Sequence, residues 1–192
     1  MTVRIVPAAP GTWPHVRRVL ETPGDPEVCW CQVFRVRRDD WDARPVERNR
    51  ADLEALVGGP HTPGLLAYLD DAPVAWCGVA PVAELARTTT AENFLAARPA
   101  GEDLTGRWAV TCFVVRPEAR GRGLLPLLLA TAVDHARAEG ATSLEGYPLD
   151  PQRADEVGPT ELFAGTLRHF EEAGFRAVAP LGPLRTLVVR DL

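Results

Sequence analysis

Residues Arg107–Gly140 read RWAVTCFVVRPEARGRGLLPLLLATAVDHARAEG: an apolar run, a turn holding two glycines and two arginines, and a long amphipathic pattern. Arg107–Val115 has the length and β-branched content of a buried strand. Beyond the turn, Leu124, Leu128, Leu129, Ala132, Val133 and Ala136 recur with the period of a helix. Asp134, Arg137 and Glu139 fall on its opposite side, and Gly140 stops it. A strand that feeds a helix through a glycine-rich turn makes an anion site, because the first amides of a helix lack intrahelical acceptors and the macrodipole adds partial positive charge there. Gly121 and Gly123 let backbone approach a bulky guest, while Arg120 and Arg122 add charge. A phosphate-bearing cofactor is the expected occupant. A Walker loop needs a lysine, which this chain lacks altogether. Gly121-x-Gly123 is followed by Leu124, Leu125 and Pro126, without the third glycine of a dinucleotide fingerprint.

Working outward, Thr142–Leu149 reads as a second strand, so that 107–149 is a parallel strand–helix–strand unit. Two apolar runs flank Asp70-Asp71-Ala72-Pro73 as an antiparallel hairpin, and 175–180 with 184–190 form a closing strand pair. Val3–Val6 is a short strand. Helices are expected over Thr12–Glu21, Glu27–Arg37, Pro45–Val57 and Thr160–Ala173. The pattern predicts a mixed α/β fold: a mostly antiparallel, twisted sheet flanked by helices, with the parallel unit at its centre. No repeat or low-complexity linker divides the 192 residues, so a single domain over 1–192 is expected, with a helical region in 1–60 and the sheet in 64–192.

The composition, 46% hydrophobic and 24% charged, is that of a soluble globular chain, and the formal charge of −5 with no basic stripe argues against a nucleic-acid partner. No apolar stretch approaches the roughly 20 residues that span a bilayer, and no signal-peptide core opens the chain, so a cytoplasmic protein is expected, without membrane attachment. All 21 basic residues are arginine. Four cysteines are too few for a disulfide scaffold, and Cys29-x-Cys31 lacks zinc-like spacing, so no metal is assigned and the thiols read as buried.

At Arg120 and Gly123, preceded by VVRPEARG, the chain resembles the GNAT superfamily of acetyl-CoA-dependent N-acetyltransferases, whose strand, Arg/Gln-x-x-Gly-x-Gly/Ala turn and helix hold the cofactor pyrophosphate. The likeness extends over GLLAYLDDAPVAWCGVAP, TSLEGYPLD and LRHFEEAGF, from about residue 64 to the end. It implies acetyl-CoA as co-substrate. Phe113, Val114 and Val115 would offer backbone groups to its pantetheine arm, and Arg120, Gly121, Arg122, Gly123, Leu124, Leu125 and Pro126 would wrap its pyrophosphate. One departure is visible: the small residue expected two after Gly123 is Leu125, followed by Pro126. Proline disfavours helical geometry in its predecessor, so the helix is expected to start one turn late, with Pro126 near its first position.

Acylation of an amine, whose pKa is about 10, needs a base. The strand TCFVV carries no carboxylate where many relatives place one. Glu145 is similar in position to the glutamate that serves protein N-terminal acetyltransferases of the superfamily, and is the expected base, with Glu84, Asp150 and water as competitors. The family's tyrosine acid corresponds to Phe170, leaving Tyr147 and His169 as substitutes or solvent protonation of the thiolate. Cys112 as an acyl nucleophile would imply ping-pong kinetics. Trp30, Trp41, Trp76 and Trp108 are read either as an aromatic wall for a flat or cationic acceptor or as core, with Tyr147 beside them. Asp150, Asp155 and Glu156 would attract a cationic amine.

The expected activity is acetyl transfer to the primary amine of a small molecule by direct attack in a ternary complex. The alternatives are a protein or peptide N-terminal acetyltransferase and a non-catalytic CoA-binding domain; an acetylating toxin of charged tRNA fits the acidic chain poorly. A homodimer is compatible with superfamily habit.

Overall fold

Seven strands form one sheet in the computed structural model, which describes residues 2–150 and 163–192. They are β1 (Val3–Pro7), β2 (Gly64–Leu69), β3 (Ala72–Pro81), β4 (Arg107–Val115), β5 (Ser143–Gly146), β6 (Arg176–Leu181) and β7 (Arg185–Asp191), in the spatial order β1-β2-β3-β4-β5-β7-β6. Only β4 and β5 run parallel; every other neighbouring pair is antiparallel. The β2–β3 hairpin closes on Asp70 and Asp71, both left-handed at φ 46° and 67°, which is the two-residue turn whose twist matches the strands. Asp70 also accepts a hydrogen bond from the Thr2 amide at 2.8 Å and so ties the edge strand to the hairpin.

Helices cover both faces. On one lie α1 (Trp13–Leu20), α2 (Asp25–Cys29) and α3 (Val46–Val57), where Val16, Leu20 and Leu53 pack on Leu66, Trp76 and Val114 of the sheet. On the other lie α6 (Leu124–Ala138) and α7 (Leu167–Glu172). The buried residues of α6 are the six that the helical period selects; each fully buried leucine stabilises by roughly 1.5–3 kcal/mol. Two further short helices, α4 (Ala86–Thr90) and α5 (Glu92–Ala96), fill the β3–β4 connection and carry Phe94 and Ala97 onto Ala109, Tyr147 and Leu187. The helix expected from Thr160 begins, among the described residues, at Leu167. The helix expected over Glu27–Arg37 ends at Cys29, because Trp30 and Cys31 both turn left-handed, at φ 45° and 59°.

The helix after the glycine turn starts at Leu124, with Gly123 as its cap, and not a turn later. Pro126 is its third residue, where the N–H that proline lacks has no intrahelical acceptor in any case. The correction matters for the site, since the helix points its first amides at the turn itself.

Candidate active site

β5 pairs only with Arg107–Val110 of β4. From Thr111 onward β4 is held by β3 alone, so the two parallel strands part and one edge of residues 111–115 is left without a strand partner among the described residues. The parting begins at a bulge: Gly78 opposes Cys112 and Val79 opposes Val110, leaving Thr111 as the extra residue. An unpaired strand edge offers its N–H and C=O groups to an amide-bearing arm, as in strand addition. Phe113 and Val114 are anchored by buried side chains and Val115 is half-buried, so the backbone of the three is fixed where the resemblance puts pantetheine contacts.

At the end of β4 the Arg120 guanidinium folds back, its Nε donating to the Val115 carbonyl at 3.2 Å. Gly121 and Gly123 sit at φ 72° and 70°, a left-handed geometry that other residues rarely adopt. No side chain caps the first turn of α6. The amides of Gly121 to Leu125 thus gather at the start of a 15-residue helix, which suits an anion. Pro126 contributes shape and no donor.

On the α1–α3 face of the sheet the same stretch of β4 floors a cavity of about 560 Å³. Thr111, Cys112 and Val114 line its base, Cys29, Cys31, Phe34 and Trp41 one wall, and Arg87, Phe94, Phe163 and Arg185 the remainder. Cys31 is the focus of this floor. Its Sγ lies 2.8 Å from Cys112 Sγ, 4.0 Å from Thr111 Oγ1, and 3.3 Å from Trp76 Nε1, which donates to it. The space exists because residue 78 is glycine: a Cβ there would lie 2.6 Å from both Cys31 Sγ and Thr111 Oγ1. The hydrogen bond shared with Cys112 lowers the Cys31 pKa to about 7, helped by Trp76, Arg35 and Thr111 and opposed by burial. Cys112 moves the other way, well above an ordinary thiol, as the partner that keeps its proton. Left-handed backbone at Cys31, beside a β-bulge and with Cys112, Thr111 and Trp76 around its sulfur, places strain next to a thiol of lowered pKa.

The residues singled out from sequence divide sharply. Glu145 is fully buried, ion-paired with Arg98 and 3.5 Å from Arg107 Nη1, and does not line the cavity. Its carboxylate lies between two inward-facing arginines. Tyr147, also buried, donates a hydrogen bond from its hydroxyl to Glu145 Oε1 at 2.6 Å and stands behind Phe34 and Phe94, with ring centroids 5.0 and 4.9 Å away. Trp30 and Trp76 are core residues of the α1–α3 face, and Trp108 lies in the core of the α6 face between His61 and His135. Of the proposed aromatic wall, Trp41 alone lines the cavity. Phe170 is wholly buried against Phe113 and Phe175, His169 pairs with Thr166, and Glu84 with Arg35. Asp150 does not line the cavity; Asp155 and Glu156 lie outside the described residues. Among the described residues no three His, Cys, Asp or Glu side chains are grouped to hold a metal, and no helix is long and apolar enough to cross a membrane.

Sequence patterns do not pick out Arg87, Phe94 and Arg98, because they sit on helices of five residues or just after them, too short for periodicity to register.

The profile of the acetyltransferase (GNAT) family matches residues 30–151, from the thiol loop through β5. No curated protein matches the chain. Solved structures share its fold: the GNAT domain of S. lividans PAT at 16% identity, covering 100% of this chain and 92% of that one with a TM-score of 0.58; the PaiA N-acetyltransferase of Thermoplasma acidophilum, solved with coenzyme A, at 10% identity, full coverage of both chains and 0.56; and an acetyltransferase of Thermus thermophilus at 20% identity, 100% and 98% coverage and 0.52.

Proposed function

The chain belongs to the acetyltransferase (GNAT) family, and on that premise we propose that it transfers the acetyl group of acetyl-CoA to the amine of a small molecule by direct attack in a ternary complex. The observation that carries this reading is the cavity of about 560 Å³ floored by the bulged half of β4. It is concave and within the roughly 300–1,000 Å³ typical of small-ligand sites, and it reaches the strand whose other edge is open to the cofactor arm.

Acetyl-CoA supplies the activated thioester. The residues that hold it are the unpaired edge of Phe113–Val115 and the amides of Gly121 to Leu125, with Arg120 beside them. The PaiA relative, solved with coenzyme A, has the same fold, which supports that placement. Cys31 is the base in this reading. Its thiolate receives the proton released as the amine attacks, and a base whose pKa lies near the working pH is the most effective kind. No carboxylate lines the cavity among the described residues.

The deciding experiment is free-thiol release from acetyl-CoA against a panel of amines and peptides, with mass spectrometry of the product. Acetylated small amines are the expected result; acetylation of peptide N-termini alone would replace the small-molecule reading. Arg120→Ala is expected to weaken acetyl-CoA binding about tenfold or more, the value of a charge-assisted phosphate contact, measured by calorimetry. The loss should shrink at high salt, since an exposed charge is screened. Unchanged affinity would confine Arg120 to its bond with Val115.

A further inference from the structure

We infer that the acceptor bears an oxyanion as well as its amine, and that Arg87 and Arg38 receive it in the cavity. This rests on the acetyl-transfer reading for the amine end and on the cavity's own charge for the other. The chain has 26 acidic residues against 21 basic, yet the described cavity lining holds Arg38, Arg87 and Arg185 and no aspartate or glutamate. A pocket whose described lining carries arginine and no carboxylate is arranged for negative charge. A cationic acceptor, which the sequence alone leaves open, would meet repulsion there.

Arg87 is the most specific of the three. Its backbone amide donates to the Phe34 carbonyl at 3.0 Å and its Nε to the Val36 carbonyl at 3.4 Å, and its guanidinium lies 5.5 Å from the Trp41 ring centroid. The head group is thereby fixed, while its Nη2 is buried with no hydrogen-bond partner. Orphaned buried donors are rare in folded proteins and call for a partner. Arg98 and Arg107 also leave a buried Nε without a hydrogen-bond partner, but their charge is matched by carboxylates: Arg35 pairs with Glu84, Arg98 with Glu145 and Arg107 with Glu102, while Arg185 donates to the Tyr147 carbonyl. Neither Arg87 nor Arg38 forms an ion pair among the described residues. Burial and the nearby Arg38 charge both push the Arg87 pKa down, with Asp42 pulling back only in part. Two guanidinium groups facing one cavity repel until an anion lies between them, and planar forks match carboxylate, phosphonate or sulfonate oxygens.

The same field acts on the amine. Guanidinium groups disfavour the ammonium form, so an acceptor whose oxyanion is paired is also one whose amine is easier to deprotonate. Phe34, Phe94, Trp41 and Phe163 complete the lining and give a flat apolar body something to pack against. The acceptor class is thus an amine, an oxyanion and an apolar side chain, as in an aromatic amino acid.

Matched acceptors test this: amino acids against their decarboxylated amines, and aminoalkylphosphonates against the corresponding alkylamines. Acetylation is followed by thiol release, and binding of N-acetyl amino acids without cofactor by calorimetry. The oxyanion-bearing member of each pair is expected to have a kcat/KM roughly ten- to hundredfold higher, the worth of one charged hydrogen bond or pair. Arg87→Gln should cut that preference about tenfold through KM, and Arg38→Gln, at an exposed residue that cannot unfold the chain, should cut it as well. Equal use of both members, or a preference left intact in both variants, overturns the inference while acetyl transfer stands. Binding of N-acetyl amino acids that depends on Arg87, without acetylation of any acceptor, supports the oxyanion site and removes the acetyl-transfer reading. Absence of both binding and transfer across the panel overturns the inference too.

Discussion

Cys31→Ala is expected to lower kcat/KM by about 10²–10⁴, the usual contribution of a positioned base, and to remove a rise in rate through neutral pH. The sign follows from the protonation states. Below about 7 Cys31 is a thiol with no capacity to accept a proton, and above it the thiolate is present, so wild-type kcat/KM, referred to the concentration of free amine, should climb as pH rises through about 7 and then level. The inflection belongs to Cys31 only because of its surroundings. Cys112→Ala removes the largest lowering influence, so it should move the inflection to higher pH while the plateau survives. A purely structural Cys31 would not produce that displacement. An unaltered pH profile in Cys31→Ala would instead send the proton to water. Intact-mass measurement after mixing with acetyl-CoA alone checks the remaining chemistry: no acetylated enzyme is expected, and an adduct on Cys31 would replace direct attack by a two-step transfer through the thiol.

What sequence could reveal here follows period and length. α6 was legible to the residue on its buried face, because 15 residues span enough turns for a stripe to stand out. β4 was legible because nine residues between turn signals admit little else. The glycine turn is legible as an anion site, but the helix start is not: proline's effect on its predecessor is a tendency, and Leu125 remains helical against it. The acceptor side was scarcely legible. Its wall comes from the left-handed break at Trp30–Cys31 and from two five-residue helices, which carry no usable period, and its floor from a bulge set by Gly78. Cys31 had no distinguishing mark in a Cys-Trp-Cys triplet. Only the fold brings it to Cys112, 81 positions away. Of the two readings open for the tryptophans, Trp30, Trp76 and Trp108 follow the core one, as large aromatic residues fill cores more often than they line pockets.

Glu145→Gln is where the sequence and the structure make opposite forecasts. Read as a base, Glu145 predicts an enzyme that folds normally and turns over slowly. Read from its surroundings, it predicts an enzyme that is hard to keep folded. The carboxylate has no exposed surface and its partner Arg98 has 5%; Arg98 also donates to the Thr88 carbonyl at 2.6 Å, tying α4 to the sheet. Burial pushes the Glu145 carboxyl up, and Arg98 pulls it back down along with the Tyr147 hydroxyl and Arg107. Glutamine keeps the size and one acceptor but removes the charge, and its amide would turn two donors toward Arg107. Breaking a buried ion pair from one side typically costs about 3–5 kcal/mol, because the remaining charge stays buried. At roughly 2–4 °C per kcal/mol for a chain of this size, the melting temperature should fall by about 6–20 °C. The double variant Arg98→Met/Glu145→Leu should recover much of that loss, since apolar replacement of a whole pair is often neutral or better. Acetyl transfer per folded molecule should change far less in Glu145→Gln than in Cys31→Ala. A melting temperature within a degree or two of wild type, with turnover down a hundredfold or more, would return Glu145 to the chemistry and Cys31 to the wall.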